Sequence, residues 1–121
     1  MPARPFEAQV RHHQPRVVVI ELHGEINAFA EEALHAAYSQ AEEQQPELIL
    51  LNFSDVDYIN STGIALIVSL LARARINHVR LVASGLSDHY VEIFNITRLA
   101  DFMAVYPDET TALEGKSSHI A

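Results

Sequence analysis

The sequence predicts an α/β fold: a mostly parallel sheet of about four or five strands with an N-terminal hairpin or edge strand, covered by about four helices. Apolar and β-branched runs typical of strands alternate along the chain with segments whose apolar residues recur at helical spacing. Residues 48–51, Leu-Ile-Leu-Leu, are apolar at every position, as expected of a central parallel strand covered on both faces. Because strands and helices alternate after the first hairpin, we expect parallel pairing through right-handed crossovers.

The first third of the chain contains two predicted strands and one predicted helix. Residues 6–10 alternate weakly and predict an edge strand, and residues 12–15 predict a turn because proline cannot donate to a ladder. Residues 17–22 are β-branched and mostly apolar, which predicts a strand followed by a loop at residues 23–27. Asn27 can cap the next helix through its side-chain oxygen. The apolar face predicted for that helix comprises Ala30, Ala33, Leu34, Ala37 and Ala41.

The segment at residues 55–63 predicts a loop between the central strand and a helix at residues 64–75. A strand-to-helix junction of this kind lies at the carboxyl edge of a sheet, where open α/β folds usually place their sites. Ser61 and Thr62 fall where the helix should begin. Gly63 follows, and one use for a glycine in a first helical turn is the close approach of another surface. The sequence therefore places its candidate site at this junction.

The helix at residues 64–75 is apolar on more than one side. Leu66 and Leu70 project away from the stripe expected to pack on the sheet, and two interpretations are open. Another helix covers them, or they form an apolar patch beside Ser61 that receives a partner protein. In the second case they would also permit a weak homodimer of an otherwise monomeric chain. The stripe expected to pack on the sheet comprises Ile64, Ile67, Val68 and Leu71.

The last third of the chain predicts two more strands and two more helices. Residues 79–83 predict a strand, and Ser87 or Asp88 can cap the short helix that follows. Residues 103–106 are strand-like, and the Pro-Asp pair at residues 107–108 is typical of a helix start.

The composition indicates one intracellular domain. The length of 121 residues and a hydrophobic content of 49 % suit a single core, which we expect to span residues 1–113, followed by a flexible tail at residues 114–121. The net charge of −8 argues against binding to nucleic acid or to anionic membranes. No cysteine is present and the amino terminus has no apolar signal segment, so we expect a soluble, cytoplasmic protein.

No catalytic or metal site is predicted, and no cofactor is expected. The seven histidines include no pair at the i, i+4 spacing of a helical zinc site, and the glycine-rich phosphate loops and the nucleophile elbow are missing. Asp55 and Asp57 share one side of an extended segment, which leaves one minor alternative. In that alternative the protein is a small enzyme that uses one of them as a base, and it requires a deep pocket beside them.

Ser61 is the residue whose position carries the most chemistry. A serine at the amino end of a helix lies beside unpaired backbone amides and the positive end of the helix dipole. This environment tolerates an added phosphate, so phosphorylation would act on a docked partner and not on the fold. The competing interpretation is that Asn60 or Ser61 is an ordinary helix cap worth about 1 kcal/mol.

Three stretches resemble the STAS domain family in its small single-domain form, the bacterial anti-sigma factor antagonists. Residues 22–27, Leu-His-Gly-Glu-Ile-Asn, resemble the family's L-x-G-E-[LI]-D loop. Residues 57–65, Asp-Tyr-Ile-Asn-Ser-Thr-Gly-Ile-Ala, resemble its x-[FY]-[IM]-D-S-[ST]-G-[LI]-[GA] segment. Residues 93–106 resemble the closing pattern of a short helix and a last strand. The resemblance covers about residues 6–113.

The resemblance implies partner switching by a regulatory protein that is not an enzyme. An unphosphorylated antagonist binds an anti-sigma factor that is also a serine kinase, the kinase phosphorylates the motif serine, and a phosphatase restores it. The implied phosphoacceptor is Ser61. The other residues implied for the motif loop and the docking face are Asn27, Asp57, Asn60, Thr62 and Gly63, with Leu66 and Leu70 as inferred hydrophobic contacts.

Two positions depart from the family pattern, because Asn27 and Asn60 stand where aspartate is usual. Asparagine keeps an acceptor oxygen and can cap a helix, but it carries no charge. The alternative function is therefore a STAS scaffold or interaction module that docks through the same loop and helix without phosphorylation.

Overall fold

The computed structural model describes residues 4–117 of the chain. An antiparallel hairpin is followed by alternating strands and helices, as the sequence predicted. The strands are β1 (Glu7–Gln14), β2 (Val17–Ile26), β3 (Leu48–Ile59), β4 (Arg80–Ser84) and β5 (Val105–Tyr106). The helices are α1 (Glu31–Glu42), α2 (Ser61–Ile76), α3 (Asp88–Ile96) and α4 (Glu109–Ser117), with short 3-10 helices at Ala28–Ala30 and Leu99–Asp101.

The five strands form one sheet in the order β1-β2-β3-β4-β5. Strand β1 pairs antiparallel with β2, and the remaining neighbours pair in parallel. The expected mostly parallel sheet with an antiparallel edge strand is therefore confirmed. Residues 48–51 of β3 are buried on both faces, as their uninterrupted apolar run predicted.

Helices lie on both faces of the sheet. Every parallel connection moves to the next strand in the same direction, so right-handed crossovers bring α1, α2 and α3 to one face. Helix α4, the last element of the described residues, packs on the other face. The larger core joins Val18, Ile20 and Leu22 of β2 to Leu34, Ile67 and Phe94 of the first three helices. The smaller core joins Val17, Val19 and Leu50 to Ala112 of α4.

Two of the predicted loops are wrong, because β2 and β3 are longer than their apolar runs. Their pairing continues with two irregularities in register as far as Ile26 opposite Ile59, so residues 23–26 and 55–59 are strand. Their polar side chains fit a sheet face that α4 does not cover. The turn predicted at residues 12–15 is also shifted, since β1 continues to Gln14 and the chain turns at residues 15–16.

The sheet-facing side of α2 differs from the predicted stripe. Leu66 is 7 % exposed and Leu70 is fully buried, whereas Val68 is 47 % exposed. The neighbouring side of α2 contacts α1: Ser69 lies beside His35, and Arg73 pairs with Glu42. Helix α1 therefore covers the side on which the two leucines lie. The interpretation of Leu66 and Leu70 as exposed partner or dimer contacts is wrong.

The carboxyl end of the described chain is helical. Asp108 caps α4 by accepting a hydrogen bond from the Thr111 amide at 2.8 Å, which confirms the predicted helix start. Residues 114–117 of the expected tail belong to α4, and residues 118–121 lie outside the described part of the chain. No helix within residues 4–117 is long and apolar enough to cross a membrane.

Candidate functional site

The predicted site lies where β2 and β3 end side by side. Ile26 and Ile59 are register partners and the last residues of their strands. The backbone N–H of Asn60 then donates to the Ile26 carbonyl oxygen at 3.2 Å, which holds the first residue after β3 against the end of β2. The loops that follow these strands are thereby placed next to each other. Asn27 and Asn60, far apart in sequence, lie at the same edge of the sheet.

Asn27 and Asn60 have the same local role. The Asn60 side-chain oxygen accepts from the Gly63 amide at 2.8 Å and caps α2. The Asn27 side-chain oxygen accepts from the Phe29 amide at 2.9 Å and caps the 3-10 turn before α1. The Asn27 side-chain nitrogen donates to the Glu25 carboxylate at 3.0 Å. Both asparagines use the acceptor oxygen that they share with aspartate, so neither cap requires a negative charge.

Gly63 is buried, and the close approach it permits is made within the chain. A Cβ atom at this position would lie 2.2 Å from the Ile26 carbonyl oxygen and 2.9 Å from the Ile59 side chain. The sequence left open that this glycine admits another surface, and that surface is the end of β2. Gly63 therefore fixes the distance between α2 and the sheet, and a partner cannot reach its backbone directly.

Ser61 and Thr62 form the exposed start of α2. The first-turn amides of a helix have no intrahelical acceptor, and the helix dipole places partial positive charge at this end. Asn60 accepts from the Gly63 amide, so the cap does not depend on the Ser61 hydroxyl. The Ser61 side chain is therefore available to solvent and to another protein while the helix start stays capped.

Asp55 and Asp57 lie on β3 and hold the N-terminal segment. Arg4 contacts an Asp55 carboxylate oxygen at 3.1 Å and an Asp57 oxygen at 3.0 Å, and His23 Nδ1 lies 2.7 Å from Asp55. The hydrogen bond from Arg4, followed by that from His23, lowers the pKa of Asp55. A carboxylate whose pKa is lowered is a weaker base. This electrostatic arrangement argues against the enzyme alternative.

The cavities beside these carboxylates are small. Two depressions of about 180 and 210 Å³ adjoin Asp55, and one of them is lined by Arg4. Ligand pockets typically measure about 300–1,000 Å³, so the deep pocket required by the enzyme alternative is missing from this part of the described chain. Within residues 4–117, no group of three or more His, Asp or Glu side chains is arranged to hold a metal ion.

Two exposed aromatic residues flank the site and were missed by the sequence analysis. Phe29 is 94 % exposed next to the Asn27 cap, and Tyr58 is 50 % exposed near the end of β3. Phe29 lies between that cap and α1, on the helical row of the exposed Ala33 and opposite the buried Leu34. The helical spacing placed Ala33 on the apolar face of this helix, and the exposure of Ala33 corrects that assignment, so the helical pattern gave no signal that Phe29 is exposed. Exposed aromatics beside polar loops are typical of protein-binding surfaces.

The STAS domain family matches residues 8–112 of this sequence. The chain belongs to the STAS domain family. The resemblance seen in its motifs is confirmed, and the five-stranded sheet with its hairpin and four helices is the STAS fold.

The relatives of this STAS domain include named regulators. It is 29 % identical over 101 residues to the anti-sigma-B factor antagonist of Staphylococcus aureus, an alignment that covers 84 % of this chain and 92 % of that protein. Its fold is similar to that of an anti-sigma factor antagonist from Mycobacterium paratuberculosis, with a TM-score of 0.79 and 19 % identity. The match covers 92 % of this chain and 93 % of that chain. It is also similar to the phosphorylated form of the Bacillus cell fate determinant SpoIIAA, with a TM-score of 0.69 and 24 % identity, covering 88 % and 96 %.

The STAS fold brings most of the predicted motif residues to one edge of the sheet. Asn27, Asn60 and Ser61 meet there, with Thr62 exposed beside them. Asp57 lies on β3 and not in a loop, because the pairing of β2 and β3 continues past it. The remaining members of the predicted set, Gly63, Leu66 and Leu70, are buried.

Proposed function

We propose that this STAS protein is a cytoplasmic anti-sigma factor antagonist that acts by partner switching. In its unphosphorylated form it binds an anti-sigma factor with serine kinase activity. Phosphorylation of Ser61 by that kinase releases the complex, and a phosphatase restores the binding form. The protein itself is a regulator and performs no catalysis.

The exposed Ser61 hydroxyl at the capped start of α2 is the observation that carries this proposal. A kinase can reach this hydroxyl without unfolding the chain, since the Asn60–Gly63 hydrogen bond closes the cap independently. The added phosphate, with about −1.5 to −2 charges, would lie at the positive end of α2. Phosphorylation is therefore compatible with an intact fold, which a partner switch requires.

The phosphate would act on the complex and not on the free protein. A kinase keeps nucleotide phosphates opposite the hydroxyl that it modifies, so phosphorylated Ser61 would face like charge across the interface. Burying an unpaired charge there costs several kcal/mol. A loss of about 3 kcal/mol already weakens binding roughly a hundredfold, because 1.4 kcal/mol corresponds to tenfold. No conformational change is needed.

A second candidate function is constitutive docking through the same surface, without phosphorylation. The observation in its favour is that Asn27 and Asn60 replace the aspartates usual in the family pattern and serve only as neutral caps. If a kinase reads the charge of those aspartates, Ser61 would remain unmodified. The exposed Phe29 and Tyr58 would then bind a partner permanently.

The test is expression of the tagged protein in its native host, with intact-mass measurement, peptide mapping and identification of the co-purified anti-sigma factor. Ser61→Ala should abolish an added phosphate and keep the complex in the presence of ATP. Thr62→Ala is the matched control for the identity of the acceptor, because Thr62 is the neighbouring exposed hydroxyl, and any phosphate on this variant should still map to Ser61.

The two functions predict different results in this experiment. A phosphate on Ser61 together with ATP-dependent release of the wild-type protein supports partner switching. A complex that persists with ATP, in which Ser61 carries no phosphate, rejects switching and supports constitutive docking. Phosphate on Thr62 in place of Ser61 would contradict the proposed assignment of the acceptor.

A further inference from the structure

Helix α2 carries an exposed row of residues that contains no charge over most of its length. Starting at Ser61, the row continues through Ala65, Val68 and Ala72 to Ile76, positions that share one side of a helix with 3.6 residues per turn. Val68 is 47 % exposed and Ile76 is 75 % exposed. At a rise of 1.5 Å per residue the row is about 22 Å long.

This pattern is unusual for the outer side of a surface helix, which normally carries charged residues. The apolar surface also extends sideways from α2. Phe102 is 59 % exposed, and the Arg75 guanidinium lies 5.4 Å from the centre of its ring. Exposed apolar side chains grouped in this way, here with Arg75 among them, typically mark an interaction site on a folded protein.

The helices on either side of the row are acidic. Helix α1 contains three glutamates and helix α3 contains Asp88 and Glu92, and neither helix contains a lysine or arginine. Glu31 and Glu32 are exposed on α1, as Asp88 and Glu92 are on α3. Glu42 of α1 is paired with Arg73 of α2, and Arg75 is exposed on α2 near the far end of the row. The negatively charged borders are therefore the other four acidic residues of α1 and α3.

We propose that the α2 row, defined as Ser61, Ala65, Val68, Ala72 and Ile76, docks a basic amphipathic helix of the anti-sigma factor. This inference rests on the proposed function for the identity of the partner. The apolar side of such a helix would cover Val68 and Ile76, and the small side chains of Ala65 and Ala72 would let the two helices approach closely. Its lysines and arginines would reach the acidic borders on α1 and α3.

Charge decides between this occupant and a second copy of the chain. Two copies that paired along α2 would bring together chains that each have a net charge of −8. The two basic side chains of α2 offset only part of this repulsion, because Arg73 is already paired with Glu42. A basic helix meets opposite charge on both sides. The row begins at Ser61, so a helix seated on it is continuous with the proposed switch surface. Its far end lies about 22 Å from the phosphoacceptor, which makes it a second contact region.

Two variants test the row in the native host. Val68→Asp and Ile76→Asp place a charge under the docked helix and should weaken binding of the co-purified anti-sigma factor by at least about tenfold. Both positions are exposed, so the fold should tolerate them. Thr110→Asp on α4 adds the same charge at an exposed helical position on the opposite face, and it should leave binding unchanged.

A defined probe tests the chemistry without the native partner. A labelled leucine–lysine peptide with an amphipathic helical pattern should bind the protein in an anisotropy titration, and a leucine–glutamate peptide of equal length should not. Binding should weaken with added salt, in the Val68→Asp variant, and in a Glu31→Lys, Glu92→Lys double variant that reverses the borders. Sedimentation of the protein alone should give a monomer.

The outcomes separate this inference from the proposed function. If wild-type protein captures the anti-sigma factor but Val68→Asp binds as tightly as Thr110→Asp, the α2 row is not the docking surface and the proposed function stands. If the protein alone is a dimer that Ile76→Asp dissociates, the occupant of the row is a second copy of the chain and not a basic helix. If Ser61 is never phosphorylated while both row variants still lose binding, the docking surface stands and the switch fails.

Discussion

The hydroxyl oxygen of Tyr90 accepts a hydrogen bond from the backbone amide of Ile59 at 2.8 Å in a buried setting. Ile59 is the last residue of β3, two positions before Ser61, and Tyr90 belongs to the first turn of α3. Helix α3 therefore holds the end of the strand from which the candidate site begins. At this end of β3 no neighbouring strand supplies an acceptor for the Ile59 amide, and the Tyr90 hydroxyl takes that place. The position of Ser61 therefore depends on Tyr90, a residue about thirty positions further along the chain.

Tyr90→Phe should destabilise the protein by about 1–3 kcal/mol, because it leaves the buried Ile59 amide without its acceptor. The free energy of unfolding from urea titrations measures this change, and amide exchange at Ile59 should become faster. Tyr58→Phe removes the hydroxyl of a half-exposed tyrosine and should change stability by less than about 0.5 kcal/mol. Equal effects of the two variants would show that the Tyr90 bond does not hold the strand end.

Gly63→Ala should destabilise the protein by about 1–3 kcal/mol, although alanine is ordinarily favoured over glycine inside a helix by about 1 kcal/mol. The reason is the 2.2 Å approach of the added Cβ to the Ile26 carbonyl oxygen, a backbone atom that cannot move aside easily. Thermal and urea unfolding give the sign of the change. Thr62→Ala is the control at the neighbouring exposed position, and a stabilised Gly63→Ala protein would contradict the proposed spacing role.

Asn60→Ala should cost about 1 kcal/mol, because it removes the oxygen that caps α2. Asn60→Asp should keep the cap and gain about 0.3–1 kcal/mol from a negative charge at the helix start. Together the two variants separate the stability that comes from the acceptor oxygen from the stability that a negative charge would add. If both variants lose stability equally, the Asn60–Gly63 hydrogen bond is not the source of the effect. Asn60→Asp also restores the family pattern, so its rate of phosphorylation at Ser61 tests whether a kinase reads that charge.

The features predicted well from the sequence are those set by local chemistry. The apolar run at residues 48–51 dictates a buried parallel strand, and the caps at Asn27 and Ser87 follow from side-chain acceptors immediately before a helix. The start of α2 was predicted to within three residues, because polar residues and a glycine mark it, although the helix begins at Ser61 and not at residue 64. In each case the deciding interaction lies within a few residues in the chain.

The features that the sequence analysis missed depend on tertiary contacts. Leu66 and Leu70 are buried because α1 lies against that side of α2, and the pattern of a single helix does not specify its neighbours. The close approach of the Ile26 carbonyl requires a glycine at position 63, and the Tyr90 hydroxyl supplies the hydrogen-bond acceptor for the end of β3. Both relationships join residues more than thirty positions apart. Local propensity could not predict them, since the residues meet only after the strands pair.

Glu109 should make the attachment of α4 to the sheet sensitive to acid. Its carboxylate accepts from Arg11 at 2.7 Å and from Asn52 at 3.0 Å, and although burial opposes ionisation, these bonds lower the pKa of Glu109. A group whose pKa is lowered by folding adds stability above its ordinary pKa, about 4.3 for Glu, and loses that stability as pH falls through the folded value. The free energy of unfolding, measured with urea between about pH 7 and pH 3, should therefore decline less in Glu109→Gln than in the wild type. At neutral pH this variant should be only about 1 kcal/mol less stable, since the ion pair that it loses is partly exposed to solvent. Glu7→Gln, at an exposed position on β1, should retain the wild-type slope, and parallel curves for wild type and Glu109→Gln would show that this carboxylate does not set the acid response.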